Sequence, residues 1–316
     1  MQRPAIAGML AVLASTAVLA QVPSPPPRAH TSMAFDPARG GVVLVGGGTR
    51  TADDRWITLG DVWTWDGSRW QRSSATGVSR SGHKLVYHNS GRALLAVGGN
   101  DNASFDQPLM ALDGDQWRPA GTNALPPRTE AAVAYDPVRQ RVVVFGGILE
   151  RTSLGTTHEF DGTRWQTLDV FGPAPRNSAV MAYHPQTGKV VLFGGAGDNG
   201  ILFQDTWTWD GRAWTLVDTT GPGQLIGAAV ATDEERSEIV LFGGVGPNGL
   251  SGATWAWNGN RWEERRVTGP APRVVAAMAY DPLRRVIVLF GGRMQGLRDS
   301  NETWEWNGSA WSLRGP

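Results

Sequence analysis

The chain has 316 residues, including 41 Gly, 20 Pro, 15 Trp and no Cys. Lys plus Arg (29) balances Asp plus Glu (29), so charge gives no reason to expect nucleic acid as a partner. Zero Cys excludes disulfides, thiolate metal sites and a Cys nucleophile, and 41% hydrophobic residues excludes a chain disordered throughout.

The first element reads as a secretory signal. Arg3 precedes an uncharged apolar run, Ala5 to Leu19, and Val18-Leu19-Ala20 places small residues where a signal peptidase reads. The run is 15 residues long, whereas a membrane span needs ~20. Residues 1–20 are therefore expected to be cleaved. That leaves a secreted or periplasmic protein with no membrane insertion. Without Cys there is no lipoprotein attachment. Residues 21–27 (QVPSPPP) read as an extended Pro-rich leader.

Six repeats follow. Apolar runs end in Gly46-Gly47, Gly98-Gly99, Gly146-Gly147, Gly194-Gly195, Gly243-Gly244 and Gly291-Gly292, at spacings of 52, 48, 48, 49 and 48. Each pair is followed by an Asp-Gly or Asn-Gly turn, from Asp66-Gly67 to Asn307-Gly308. Four residues past each turn Asp or Asn stands a Trp: Trp70, Trp117, Trp165, Trp214, Trp262 and Trp311. Two further aromatic slots precede the turn, and they hold Trp in four repeats. Met110/Leu112 and His158/Phe160 fill them in the other two. Only Trp56 lies off these slots. Upstream of each double glycine lies an Arg slot that opens an apolar segment. It holds Arg28, Arg80, Arg128, Arg176 and Arg273, with Leu225 in the fifth repeat.

Each unit predicts four short strands. The first follows the Arg slot and ends in an Asp-Pro turn, as in Ala131 to Asp136-Pro137. The second is the β-branched run into the double glycine, as in Val142 to Phe145. The third and fourth flank the Asp-Gly turn, the strongest short hairpin signal. Along the first strand, large residues (Met33/Phe35, Met181/Tyr183, Met278/Tyr280) alternate with small ones (Ala132/Ala134, Ala277/Ala279). Lys84 is the one charge in that stretch. A strand bulky on one side and flat on the other suits a blade wedged between neighbours. Four-stranded units of ~50 residues predict an all-β, six-bladed propeller. Its blades are expected at about 28–77, 78–124, 125–172, 173–221, 222–269 and 270–316. Each unit contains all four of its strands, so no terminal strand exchange is expected.

Pro-Arg, an apolar strand, a run into Gly-Gly and a spaced Trp together make the unit resemble a Kelch repeat, from about Pro26 to Pro316. The resemblance implies the propeller fold. It does not imply one function, because such scaffolds host many.

In an up-down-up-down blade, the loops between second and third strands share one face with the Arg slots. These loops vary in length and sequence, and such loops concentrate binding residues. They are Gly48–Gly60, Asn100–Gln107, Ile148–Gly155, Ala196–Gln204, Val245–Gly252 and Arg293–Asn301. Arg28, Arg80, Arg128, Arg176 and Arg273 are therefore expected to form a rim. They can clamp an anion or tie blades together through neighbouring carbonyls. His30 and Glu130 stand two residues after the slot, and His83 three after, on the other side of its strand. An acid and two imidazoles at a pore mouth are candidate proton-transfer groups. Trp56, on a variable loop, is a candidate stacking contact. Asp53-Asp54 and Asp198-Asn199-Gly200 follow no calcium-loop pattern, and the five His show no ligand spacing, so neither metal nor cofactor is expected.

Two functions compete. The first is a secreted monomeric binding module for a protein or glycan, engaged by the variable loops and Arg rim. The second is a carbohydrate-active enzyme of the sialic acid mutarotase type acting on an acidic sugar. A galactose-oxidase-like copper radical enzyme is excluded, because its cofactor needs a Cys crosslinked to Tyr.

Overall fold

The computed structural model describes residues 24–76 and 78–315. The expected signal at 1–20 lies outside them. Six four-stranded antiparallel sheets follow one another along the chain, each a simple meander. Blade one comprises Ser32–Asp36, Gly41–Val45, Asp61–Trp65 and Trp70–Thr76. Blade six comprises Ala277–Asp281, Val286–Phe290, Thr303–Trp306 and Trp311–Gly315. Among the described residues no strand is exchanged between the termini. The protein is an all-β, six-bladed propeller with the first strands innermost, packed on one another around the axis.

The variable loops carry some structure of their own. Those of blades one, three and five hold short hairpins, such as Gly48–Arg50 paired with Trp56–Thr58. Those of blades four and six hold single 3-10 turns at Asp198–Gly200 and Gln295–Leu297.

Six apolar clusters make up the core, and each is shared by two adjacent blades. The cluster between blades one and six joins Met33, Leu44 and Trp70 to Ala277, Val288 and Phe290. Between blades the closing tryptophan adds a polar lock. The indole N–H of Trp214 donates to Thr157 Oγ1 of the preceding blade at 2.9 Å. Trp262 does the same to Thr206, Trp311 to Thr254, and Trp70 to Thr303 across the seam. Blades one and two carry Val62 and Leu109 in the Thr position. The next tryptophans, Trp117 and Trp165, accordingly have buried indole N–H groups with no partner among the described residues.

Backbone bonds close the ring twice. The amide of each second glycine donates to the Arg-slot carbonyl of the next blade, from Gly47 to Arg80 (2.7 Å) round to Gly292 to Arg28 (2.9 Å). Both glycines of the pair have positive φ. A Cβ on Gly47 would lie 2.8 Å from the Ala29 carbonyl, so the double glycine is needed for this approach. Closer to the axis runs a second belt. His30 donates to Val275, Gly82 to His30, Glu130 to Gly82, Ser178 to Glu130, Gly227 to Ser178 and Val275 to Gly227, at 2.7–3.2 Å. Each of the six has φ between 52° and 66°. The belt needs every one of these peptides turned along the ring, so even β-branched Val275 adopts a left-handed conformation that costs it of order 1–3 kcal/mol. These two belts do the work that strand exchange does elsewhere.

Candidate functional site

The Arg slots turn inward to their own blades. Arg28, Arg80, Arg128, Arg176 and Arg273 are at most 4% exposed. Each donates Nη1 to the carbonyl of the first glycine of its blade's pair, at 3.0–3.3 Å. Arg28 also grips Asp61 with both Nη atoms, at 2.7 and 2.8 Å, and Arg176 grips Asp205 in the same way. Arg273 pairs with Glu302. In all three blades the acid also accepts the indole N–H of the tryptophan two residues on. The guanidinium groups therefore point outward to the third strand, and no guanidinium ring faces the mouth. The remaining blades vary this lock. Blade five has lost both halves, with Leu225 in the Arg slot and Ala253 in the acid position. In blade three, His158 Nε2 receives Arg128 Nη2 at 2.7 Å. Burial, then the Arg128 charge, pushes this imidazole down to about 3. In blade two Pro108 stands in the acid position, and burial lowers Arg80 to about 10. The signal missed in the sequence is an acid two residues before the first Trp slot, present only where an Arg can meet it.

The mouth itself is built from belt side chains. His30 and Glu130, expected on one side of their strands, meet: His30 Nδ1 and Glu130 Oε1 are 2.7 Å apart. Gly82, between them in the belt, makes this contact possible. A Cβ there would stand 2.8 Å from Glu130 Oε1 and would also strike Thr129 Oγ1. Burial works to raise the Glu130 carboxyl, but His30, Lys84 and Ser178 outweigh it and hold the group at about 2. Trp56 stands edge-on to His30, with ring centroids 5.8 Å apart. Arg293 lies over the Trp56 ring at 4.9 Å and is itself held by Asp299 at 2.9 Å. Ser178 stands two residues past its slot, as His30 and Glu130 do, whereas Arg293 joins the mouth from a variable loop.

His83 lies behind this cluster. It is 1% exposed, and neither ring nitrogen has a partner among the described residues. Burial, then the charges of Arg80 and Lys84, push it down to about 3. It lines an axial chamber of about 20 Å³ with His30, Lys84 and Glu130. That is room for one water. Phe203, on a neighbouring loop, is taken up by Arg176, whose guanidinium stacks on its ring at 3.9 Å. Among the described residues no group of three His, Asp or Glu is placed to hold a metal, and no helix is long and apolar enough to cross a membrane.

A wide concavity opens on the opposite face, among the Asp-Pro turns, with a volume of about 690 Å³. Its collar is Phe35, Tyr87, Tyr135, Tyr183, Thr232 and Tyr280. The bulky side of the first strands thus lines the axis as well as packing between blades.

No protein-family model matches the chain, and no curated protein matches it in sequence. Geometry alone defines its class: a six-bladed β-propeller whose axis is closed by a backbone belt and carries a polar cluster at the variable-loop end.

Proposed function

We propose that this chain is an exported, monomeric Kelch-type propeller acting as a binding module for a protein or glycan at its variable-loop face. One observation carries the reading. His30, Glu130 and Ser178 are held in left-handed backbone conformation at the axial mouth, with Trp56 and Arg293 beside them. Ring closure accounts for that conformation in every blade, so what favours recognition is the convergence of polar groups at a preorganised mouth ringed by variable loops. Glu130 offers an ionised acceptor, and Trp56 an aromatic edge for a sugar ring or an apolar side chain. The five arginines serve the site from behind by fixing the blades that carry it.

A second reading is action of the sialic acid mutarotase type on an acidic sugar, and the His30–Glu130 contact favours it. Against it, a carboxyl held at about 2 is a weak base near neutral pH, where an efficient proton acceptor titrates close to the working pH. A glycan array and a pull-down with the full chain test the proposal. Retention of a ligand by the wild type and its loss in Trp56→Ala and Glu130→Gln is the expected result. Equal retention by all three refutes the site. Anomer interconversion of an acidic sugar, seen by NMR and abolished in Glu130→Gln, would favour the second reading instead.

A further inference from the structure

Lys84 is the one charge among the small residues of the six first strands; its counterparts are Ser32, Ala132, Val180, Ala229 and Ala277. It is half-buried on the axis, and among the described residues no carboxylate lies within 4.0 Å of its ammonium. With no ion pair or side-chain hydrogen bond of its own among the described residues, the ammonium keeps its donors free for an anion that reaches the chamber. Lys84 lines a middle chamber of about 90 Å³ with Ser32 and a ring of Met33, Leu85, Val133, Met181, Val230 and Met278. Ser32 Oγ accepts the Leu85 amide at 2.8 Å, and its own proton is free to donate. The same apolar ring forms the floor of the aromatic cup, so cup and chamber lie along one axis. The other charged groups facing Lys84 lie on its far side. Glu130 shares the mouth-side chamber with Lys84 and feels its charge but is hydrogen-bonded to His30, and His83 is buried and pushed toward its neutral form. Glu234 stands at the cup rim, its carboxyl raised by burial and then by Asp233.

We propose that the axis holds a second binding site, at the opposite end from the variable loops. It takes an apolar monocarboxylate, with the hydrocarbon in the Tyr- and Met-lined cup and the carboxylate on Lys84 and Ser32. The cup volume of about 690 Å³ falls within the roughly 300–1,000 Å³ of small-molecule sites. A charge-assisted contact at the narrow end fixes which end of the ligand enters. The site is independent of the variable-loop reading.

Calorimetric titration of the full chain with dodecanoate, acetate and dodecyltrimethylammonium tests it. Dodecanoate is expected to bind saturably at one molecule per chain and acetate not at all. The cationic detergent should bind at least about tenfold more weakly, because Lys84 then repels the head group. Lys84→Met should weaken dodecanoate about tenfold or more while Lys84→Arg retains it. Met278→Trp should block the site by filling its floor. Thermal melts followed by tryptophan fluorescence establish that each variant is folded. Undiminished dodecanoate binding by folded Lys84→Met overturns the proposal, as does tighter binding of the cation. If Lys84→Met does not fold, Met278→Trp and the wild-type preference between the two detergents decide it.

Discussion

The missing tryptophan locks make a prediction whose sign depends on which blade is changed. Val62 is fully buried, and it faces the indole of Trp117, a donor with no acceptor. Val62→Thr keeps the side-chain shape and adds the hydroxyl that Thr157, Thr206, Thr254 and Thr303 supply elsewhere. An orphaned buried donor costs about 1–3 kcal/mol, and burying the new hydroxyl takes back part of that. The expected gain is about 1 kcal/mol. Thr157→Val performs the reverse change on an intact lock. It leaves Trp214 unpaired and should cost about 1–3 kcal/mol. Leu109→Thr separates the lock from packing. It satisfies Trp165, but Leu109 is only 5% exposed, so the lost bulk should outweigh the new bond and the net effect be destabilising. Urea unfolding followed by tryptophan fluorescence reads all three through the midpoint at constant slope. Val62→Thr and Thr157→Val destabilising by similar amounts would refute the lock.

Other perturbations follow from the same geometry. Burial depresses His83 and His158 to about 3, from an ordinary 6.5, so the unfolded chain binds more protons between those values. Stability is then fully present above pH 6.5 and falls as the pH drops toward 3, each histidine contributing on the order of 1.4 kcal/mol per pH unit. Unfolding midpoints measured across that range should flatten in His158→Gln, and an unchanged slope would contradict the assignment. Gly82→Ala should cost about 1–3 kcal/mol and separate His30 from Glu130, because the left-handed backbone and the space are both denied to it. Gly114→Ala has φ +55° but no atom within 4 Å, so it should cost only about 1 kcal/mol; equal losses at the two sites would show that crowding plays no part. Arg176→Leu strands the Asp205 carboxylate and should cost about 3–5 kcal/mol, whereas Arg176→Leu with Asp205→Ala reproduces the pairing of Leu225 with Ala253 and should recover much of it. A double variant no more stable than the single one would sink that lock.

What could be read from the sequence was whatever recurs at fixed spacing. Double glycines, hairpin turns and Trp slots predict six self-contained blades, because each serves the same packing task in every unit. The meeting of His30 with Glu130 was legible for the same reason, since both stand two residues past the slot. The fate of the arginines went unread because their acids keep a fixed place only against the first Trp slot, and only in blades one, four and six; from the double glycine the distance varies, Asp61 following Gly47 by 14 residues but Asp205 and Glu302 their glycines by 10. The inner belt left only its register, since each member stands two residues past its slot. Its six residues share a backbone conformation and a bond, not a side-chain type, so His30, Gly82, Glu130, Ser178, Gly227 and Val275 look unrelated in sequence. The large first-strand residues predicted a buried face correctly, but alternation alone cannot tell a blade interface from an axial cup.

A rigid recognition site depends on a ring closed by its backbone belts without strand exchange. Native-state hydrogen exchange tests this most directly. The amides of His30 and Gly292, at the seam, should be as strongly protected as those of Ser178 and Gly147 within the ring, all opening only with global unfolding. Seam amides exchanging orders of magnitude faster than the others would contradict it.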